Sequence, residues 1–300
     1  MQYRDANRDF DFLAQLASIR GKGGQPGAYD ESISVKAKGQ AQGKPLDMTL
    51  IAGSLIDLRD EDQLYPVDFK MVSGDTHIAL KGHIDQPLAL RGLDLTLQLR
   101  GPNLERLYAL TGIPLPDSPP YQLTGKLQHT TGKWRVQSLA GSVGDSDISG
   151  NLEVHTADER LTFIAELESS LLDFDDLGPL IGMPPSTGKG ETVSEEQAQQ
   201  AAAQKQSRKM IPDDNFDLTK LREADAQVKL RAKKVLAPDL PIDDLFVDLQ
   251  LKDGVLKMQP LKFGLANGEL DSQIVMDANE EKIKWDYDVK LREFHLDEFM

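Results

Sequence analysis

The chain has 300 residues, 49 acidic against 34 basic for a net charge of −15, and no cysteine. That balance speaks against nucleic-acid binding, whose affinity comes from neutralised phosphates, and against docking on an anionic membrane through a basic patch; the missing cysteines remove disulfides, thiolate metal sites and thiol nucleophiles. No run of about 18 apolar residues is there to span a bilayer as a helix, and no apolar signal-peptide core opens the chain.

In chain order, apolar residues first recur at every second position in Phe10, Phe12, Ala14 and Leu16, the mark of a half-buried strand. Residues 21–29 are rich in glycine and predict a loop. Ile33, Val35 and Ala37, then Leu46, Met48, Leu50 and Ala52, read as two strands, followed by a charged turn ending at Tyr65 and Pro66. Further strands carry Val67, Phe69 and Met71, then Ile78 and Leu80, then Leu93, Leu95, Leu97 and Leu99. Asn103 is the expected N-cap of a short helix, Leu104–Leu110, stopped by Gly112 and a run of prolines from Pro114 to Pro120.

Strands resume at Leu123–Leu127, Trp134–Leu139, Ile148–Val154 and Leu161–Leu167, and a short helix follows around Asp173–Ile181. Residues 186–215 break the pattern. Their Glu/Gln/Ala tract, Glu195–Gln206, has no large apolar residue to bury, which predicts a mobile or marginally helical insertion, although Ser194 and Gln197 have the spacing of a capping box. A turn of helix is expected at Asp217–Leu221. The last strands fall at Ala226–Leu230, Leu245–Leu251, Val255–Met258, Leu261–Leu265, Leu270–Met276 and Ile283–Leu291. Nearly every strand has one apolar and one polar face, as antiparallel sheets do, and the helices are too few and short to cover a parallel sheet.

The chain repeats itself. Leu161–Leu177, an alternating strand running into an acidic-hydrophobic turn, returns at Ile283–Phe299, 122 residues later. At that offset Trp134 falls on Leu256, Ile148 on Leu270, Leu152 on Ile274, Phe163 on Trp285, Leu167 on Val289, and Pro116-Asp117 on Pro238-Asp239. A looser copy ending at Leu107 lies 70 residues upstream and aligns Gly74-Asp75 with Gly144-Asp145. Several strands followed by a short helix thus form a stacked module. The segments expected are 1–110, one or more N-terminal β modules; 111–182, a second module ending in a short helix; 183–222, the mobile polar insertion; and 223–300, a third module cut at its closing helix. A chain that stops at Phe299-Met300 inside that helix is expected to be part of something longer, with any anchor or export signal elsewhere.

No catalytic constellation emerges. Asp145, Asp147 and Ser149 resemble the start of a calcium loop, but the twelfth position is Thr156, where the loop needs a bidentate Glu, so a polar turn is the better reading. His77, His83, His129, His155 and His295 show no metal-ligand spacing. Asp173, Asp175 and Asp176 are explained as the acidic start of a helix. Gly188-Lys189-Gly190 is too isolated to be a phosphate loop. No metal, cofactor or enzymatic activity is expected.

What remains is a long apolar face. About fifteen strands in one antiparallel sheet must twist and curl, and the apolar side must be covered by a second layer, by closure, or by an apolar ligand. A self-filled core and a lipid-holding groove both satisfy the pattern.

Leu115-Pro116 through Tyr121-Gln122-Leu123-Thr124-Gly125-Lys126-Leu127 resembles the AsmA family of Gram-negative envelope proteins, as do Gly141 through Leu152, Leu172 through Gly182, and Asp253 through Phe263. The resemblance covers about residues 45–299. It implies a periplasmic protein tethered to the inner membrane by an anchor outside this chain. It also implies repeating β-groove modules whose apolar channel carries phospholipid between inner and outer membranes, with no catalytic residues. The implied partners are phospholipid acyl chains, the inner membrane, and an outer-membrane or periplasmic protein. The rival is a non-enzymatic envelope scaffold or outer-membrane assembly factor; an envelope-glycan enzyme has no sequence support.

The fold expected is therefore mostly β: a long curved antiparallel sheet of repeated modules, groove-like or open-barrel-like, with short helices between. Alternation nominates Leu95, Leu97, Val136, Ile148, Leu152, Phe163, Leu167, Leu249, Leu256, Met258, Phe263, Ile274, Trp285, Tyr287 and Val289 as groove-lining residues, each equally compatible with ordinary core packing.

Overall fold

A computed structural model describes residues 2–5, 10–20, 31–41, 43–60, 63–113, 115–157, 160–180, 191–195, 197–199, 224–237, 242–265, 268–279 and 284–293. The loop at 21–29, Gly188-Lys189-Gly190, the turn at Asp217–Leu221, Pro238-Asp239, His295 and the third closing helix lie outside them, as does most of Glu195–Gln206.

The first strands are β1 (Gln2–Asp5), β2 (Phe10–Arg20), β3 (Glu31–Ala41), β4 (Lys44–Ala52), β5 (Tyr65–Ser73), β6 (Thr76–Gln86) and β7 (Arg91–Gly101). After helix α1 (Leu107–Thr111) come β8 (Tyr121–Thr130), β9 (Lys133–Val143), β10 (Ser146–His155), β11 (Leu161–Ser169) and the two-residue β12 (Leu172–Asp173). Helix α2 (Leu177–Leu180) precedes β13 (Ala224–Leu236), β14 (Ile242–Lys252), β15 (Val255–Leu265), β16 (Gly268–Asp277) and β17 (Lys284–Arg292).

All seventeen strands belong to one sheet. Consecutive strands pair antiparallel from β1 to β11 and again from β13 to β17. The exception is β13, which lies parallel to β11 and β12. Parallel neighbours need a crossover of about a dozen residues or more, and residues 174–223 supply it. Among the described residues β1 pairs only with β2 and β17 only with β16, so the sheet is open.

Curvature comes from irregular positions. Gly141 and Gly150 sit at φ 151° and 141°. An added Cβ would overlap the carbonyl oxygens of Gln122 and Glu166 on the neighbouring strands. The register slips nearby, between Gly150 and Leu152 and between Thr124 and Lys126, and again between Met258 and Leu261. Each bulge increases the local twist.

The repeat is visible in these elements. A shift of 122 residues carries the bounds of β9 onto those of β15, and those of β10 onto β16. It also carries the bulge between Val136 and Leu139 onto that between Met258 and Leu261.

Three local expectations need correction. Val255–Met258 and Leu261–Leu265 are one strand, because Pro260 sits in the bulge, where its missing N–H costs no ladder bond. The helix expected from Leu104 begins as a 3-10 turn, Leu104–Arg106, capped by the Asn103 side chain accepting from the Glu105 N–H. The helix expected from Asp173 is shorter: Asp173 ends β12, and α2 has no acidic residue in its first turn.

Of four apolar clusters among the described residues, the two largest take in the helices. In the first, Leu107 of α1 packs with Leu46, Met71, Ile78, Leu97 and Tyr121. In the second, Leu172, Leu230, Ala232, Val235 and Val247 take in Ile148, Leu167 and Leu177. Burying one such side chain stabilises by about 1.5–3 kcal/mol. Both short helices thus fold onto the same side of the sheet, at the same lip, where β7 and β12 end.

Candidate functional site

Residues paired across a ladder share a face of the sheet. One row of partners runs Ile33, Ala52, Val67, Gly82, Leu95, Leu127, Val136, Leu152, Ala165, Val228, Leu249, Met258, Ile274, Tyr287. It crosses every strand from β3 to β17 except β12 and meets no polar side chain before the Tyr287 hydroxyl at its end. The parallel step from Ala165 to Val228 leaves it unbroken.

All fifteen residues nominated from sequence lie on this face. Leu95, Val136, Leu152, Leu249, Met258, Ile274 and Tyr287 are in the row itself. Leu97, Leu167 and Val289 fall in the adjacent row through Leu80, Leu230 and Ser272. Phe163, Leu256 and Trp285 fall in the row on the other side, through Val154, Leu251 and Met276. Ile148 pairs with Gly141, and Phe263 with Leu270.

Their surroundings differ along the sheet. Leu95, Leu97 and Leu256 are buried. Val136, Ile148, Leu152, Phe163, Leu167, Leu249, Met258, Phe263 and Ile274 are half-buried. Trp285, Tyr287 and Val289 are 51%, 73% and 52% exposed. The face is thus covered beneath α1 and bare at β17. One polar side chain on it, Ser272, donates to the Leu261 carbonyl and presents no free hydroxyl proton.

The opposite face is polar. Lys38–Asp47, Arg135–Glu153 and Lys262–Asp271 are cross-strand ion pairs between register partners. Exposed pairs of this kind add about 0–1 kcal/mol each; their larger effect is to keep this face in water.

The acidic residues gather at the helix-bearing lip. Asp176 accepts from the Asp145 and Ser146 N–H groups, both at 2.9 Å, and from the Ser146 hydroxyl at 2.6 Å. Asp147 accepts from the Ser170 and Leu171 N–H groups and the Ser169 hydroxyl. Burial works to raise the Asp147 carboxyl, but these donors outweigh it and hold it below the usual carboxylate range. The helix-dipole explanation for Asp176 is thus replaced: its carboxylate ties the end of β12 to the β9–β10 turn.

Asp145, Asp173 and Glu191 bring carboxylate oxygens within 4.8 Å of one another. Two of the three already have protein donors: Thr192 gives Asp145 its N–H and hydroxyl, and the Asp175 N–H reaches Asp173. Burial, then the charges of Asp173, Asp175, Asp145 and Asp176, raise the Glu191 carboxyl.

A contact that alternation could not announce lies within 183–222. The Ser194 and Gln197 capping box forms, with reciprocal bonds of 3.1 and 3.2 Å. Gln197 is 1% exposed, and its amide donates to the Ser118 carbonyl at 2.8 Å. Residues 191–195 and 197–199 are therefore pinned at Asp145 and at Ser118. The sequence signal was the Ser-x-x-Gln spacing; the docking partner had no signal.

No helix among the described residues is long and apolar enough to cross a membrane. An open sheet with one apolar face, built from a repeated strand set, defines a class of β-groove proteins. The chain belongs to the AsmA family, whose family model matches residues 26–300. It is 32% identical over 294 residues to the AsmA family protein YhjG of Escherichia coli (strain K12). The match covers 96% of this chain and 43% of that relative, so the chain spans less than half the relative's length. No solved structure gives a significant match.

Proposed function

We propose that the chain is the groove-forming part of an envelope protein that shields or transfers phospholipid, one acyl chain region at a time, along its apolar sheet face. The observation that carries this reading is the register row from Ile33 to Tyr287, which offers a continuous apolar path from β3 to β17. An acyl chain gains about 0.8 kcal/mol per buried CH₂. Along a row without a polar step it keeps that gain wherever it sits, so sliding meets no high barrier. The reading includes a periplasmic location, an inner-membrane anchor outside this chain, and no enzymatic activity, in keeping with membership of the AsmA family.

Mass spectrometry of protein purified under native conditions without detergent tests it. Phospholipid should accompany the wild type, and Val289→Asp, at a half-exposed site, should reduce it in a folded protein. A folded wild-type preparation free of lipid would remove the basis of the proposal.

The scaffold reading draws on a different feature. Every residue of β17 is exposed and its outer edge has no partner strand among the described residues, so a partner protein could add a strand there. Saturable binding of such a partner by lipid-free protein would favour it.

A further inference from the structure

The lip opposite the helices, where β4, β6 and β8 end, presents exposed aliphatic side chains on two loops that pack against each other, one around the 3-10 turn Asp57–Arg59 and one around Pro87–Ala89. Ile56 is 81% exposed, Leu88 72%, Leu55 64% and Leu90 47%. Apolar side chains this exposed on adjacent loops mark an interaction site more often than chance.

The loops are built to hold these side chains out. The Ser54 N–H donates to the Asp57 carboxylate while the Asp57 N–H donates to the Ser54 hydroxyl, both at 3.2 Å, a reciprocal clamp on either side of Leu55 and Ile56. Tyr65, buried, donates its hydroxyl to the Gly53 carbonyl at 2.9 Å and fixes the start of the same loop. In the second loop Leu90 takes a left-handed conformation, φ 50°, which a leucine adopts at a cost of about 1 kcal/mol or more. The His129 Nδ1–H holds it there by donating to the Leu90 carbonyl at 2.8 Å. Strain and three separate clamps thus hold four aliphatic side chains that stay 47–81% exposed.

We propose that this lip is a membrane-contact site whose four aliphatic tips, Leu55, Ile56, Leu88 and Leu90, enter the acyl region of a zwitterionic lipid bilayer. The chemistry selects that occupant. The tips are aliphatic, whereas protein interfaces favour Tyr, Trp and Arg at their cores. Asp57 beside them is balanced by the exposed Arg59 and Arg91, so the lip carries no basic excess for anionic headgroups, and the net charge of −15 disfavours an anionic surface. The lip also joins the apolar face: Tyr65 and Ala52 at its base are in or beside the rows that reach β17. A lipid leaving a bilayer there meets no charged step, a consequence that rests on the lipid-handling reading above, although the docking itself does not.

Flotation with neutral phosphatidylcholine vesicles tests the proposal. Wild type should float, and the double variant Ile56→Asp with Leu88→Asp should lose vesicle partition by about tenfold or more with an unchanged thermal melt, since both side chains are exposed. Wild type that stays in the dense fraction, or a double variant that floats equally, overturns it. Concentration-dependent self-association abolished by the same variant, without flotation, assigns the lip to a second copy and also overturns it. Carried phospholipid without flotation sinks only the lip; flotation without carried phospholipid sinks only the transfer reading.

Discussion

Leu167 of β11 and Leu230 of β13 are register partners across the parallel step, and both face the apolar side. The crossover therefore changes the direction of the chain without interrupting the face. Leu230 is 9% exposed and packs in a cluster that includes Leu167. Leu167→Asp should cost about 3 kcal/mol or more in urea unfolding, from lost burial and a carboxylate forced into apolar surroundings. Val289→Asp, in the same row but half-exposed, should cost under about 1 kcal/mol. Equal costs would mean that the row is packed alike at β11 and at β17.

Gly141 makes a claim about shape. Gly141→Ala has to move either its own backbone or the Gln122 carbonyl, because the conformation and the close approach both exclude a Cβ. A loss of about 1–3 kcal/mol in thermal or urea unfolding is expected, while Ala140→Gly, one residue away on the outer face, should cost less. A neutral Gly141→Ala would show that the bend does not need glycine.

Asp176 carries a pH dependence with a definite sign. Burial pushes its carboxyl up, against the hydrogen bonds from Ser146 and Asp145. Burial first, and then the Asp175 and Asp145 charges, likewise raise Asp173. A carboxyl raised in the folded state binds its proton more tightly there than in the unfolded chain. Its stabilisation is complete below the unfolded value, about 3.9 for Asp, and is lost as pH rises through the folded value. Asp147, held low, acts in the opposite sense, but only as pH falls below the ordinary carboxylate range. Urea midpoints should therefore decline from about pH 4 upward until Asp173 and Asp176 are ionised. Asp176→Asn should flatten that slope. Asp176→Ala should lower stability at every pH by about 1–3 kcal/mol, leaving the Ser146 donors unmet.

Gln197→Ala should release residues 191–195 and 197–199 from Ser118. The Ser118 carbonyl then loses its amide donor in a buried site, a cost of about 1–3 kcal/mol. Limited proteolysis should cut this stretch faster in the variant; an unchanged rate would mean that Thr192 and Asp145 hold it alone.

Much of this was legible in the sequence because a single-layer sheet writes its faces in period two. Trp285, Tyr287 and Val289 could be assigned to one face by alternation, and the 122-residue offset tied them to Phe163 and Leu167. Alternation is blind where the ladder slips. Pro260 made one bulged strand look like two, and Asp244, at φ 45°, marks a shift in β14 that leaves no periodic trace. The parallel pairing of β11 with β13 was also hidden, since strand direction depends on where residues 174–223 return the chain and not on local pattern. The roles of Asp176 and Gln197 rest on partners 30 and 79 residues away, and no composition rule reaches that far.

The central claim is that the apolar face holds acyl chains, and the two tryptophans of the chain report on it directly. Trp134 partners Val154 and Trp285 partners Met276, so both stand on that face. Phospholipid brominated along its acyl chains quenches an indole only on contact. Delivered to lipid-stripped, folded protein, it should quench both tryptophans, and Trp134→Phe should leave a quenched Trp285 signal that the unbrominated lipid does not change. Emission unaltered by brominated phospholipid in a folded protein would contradict the account.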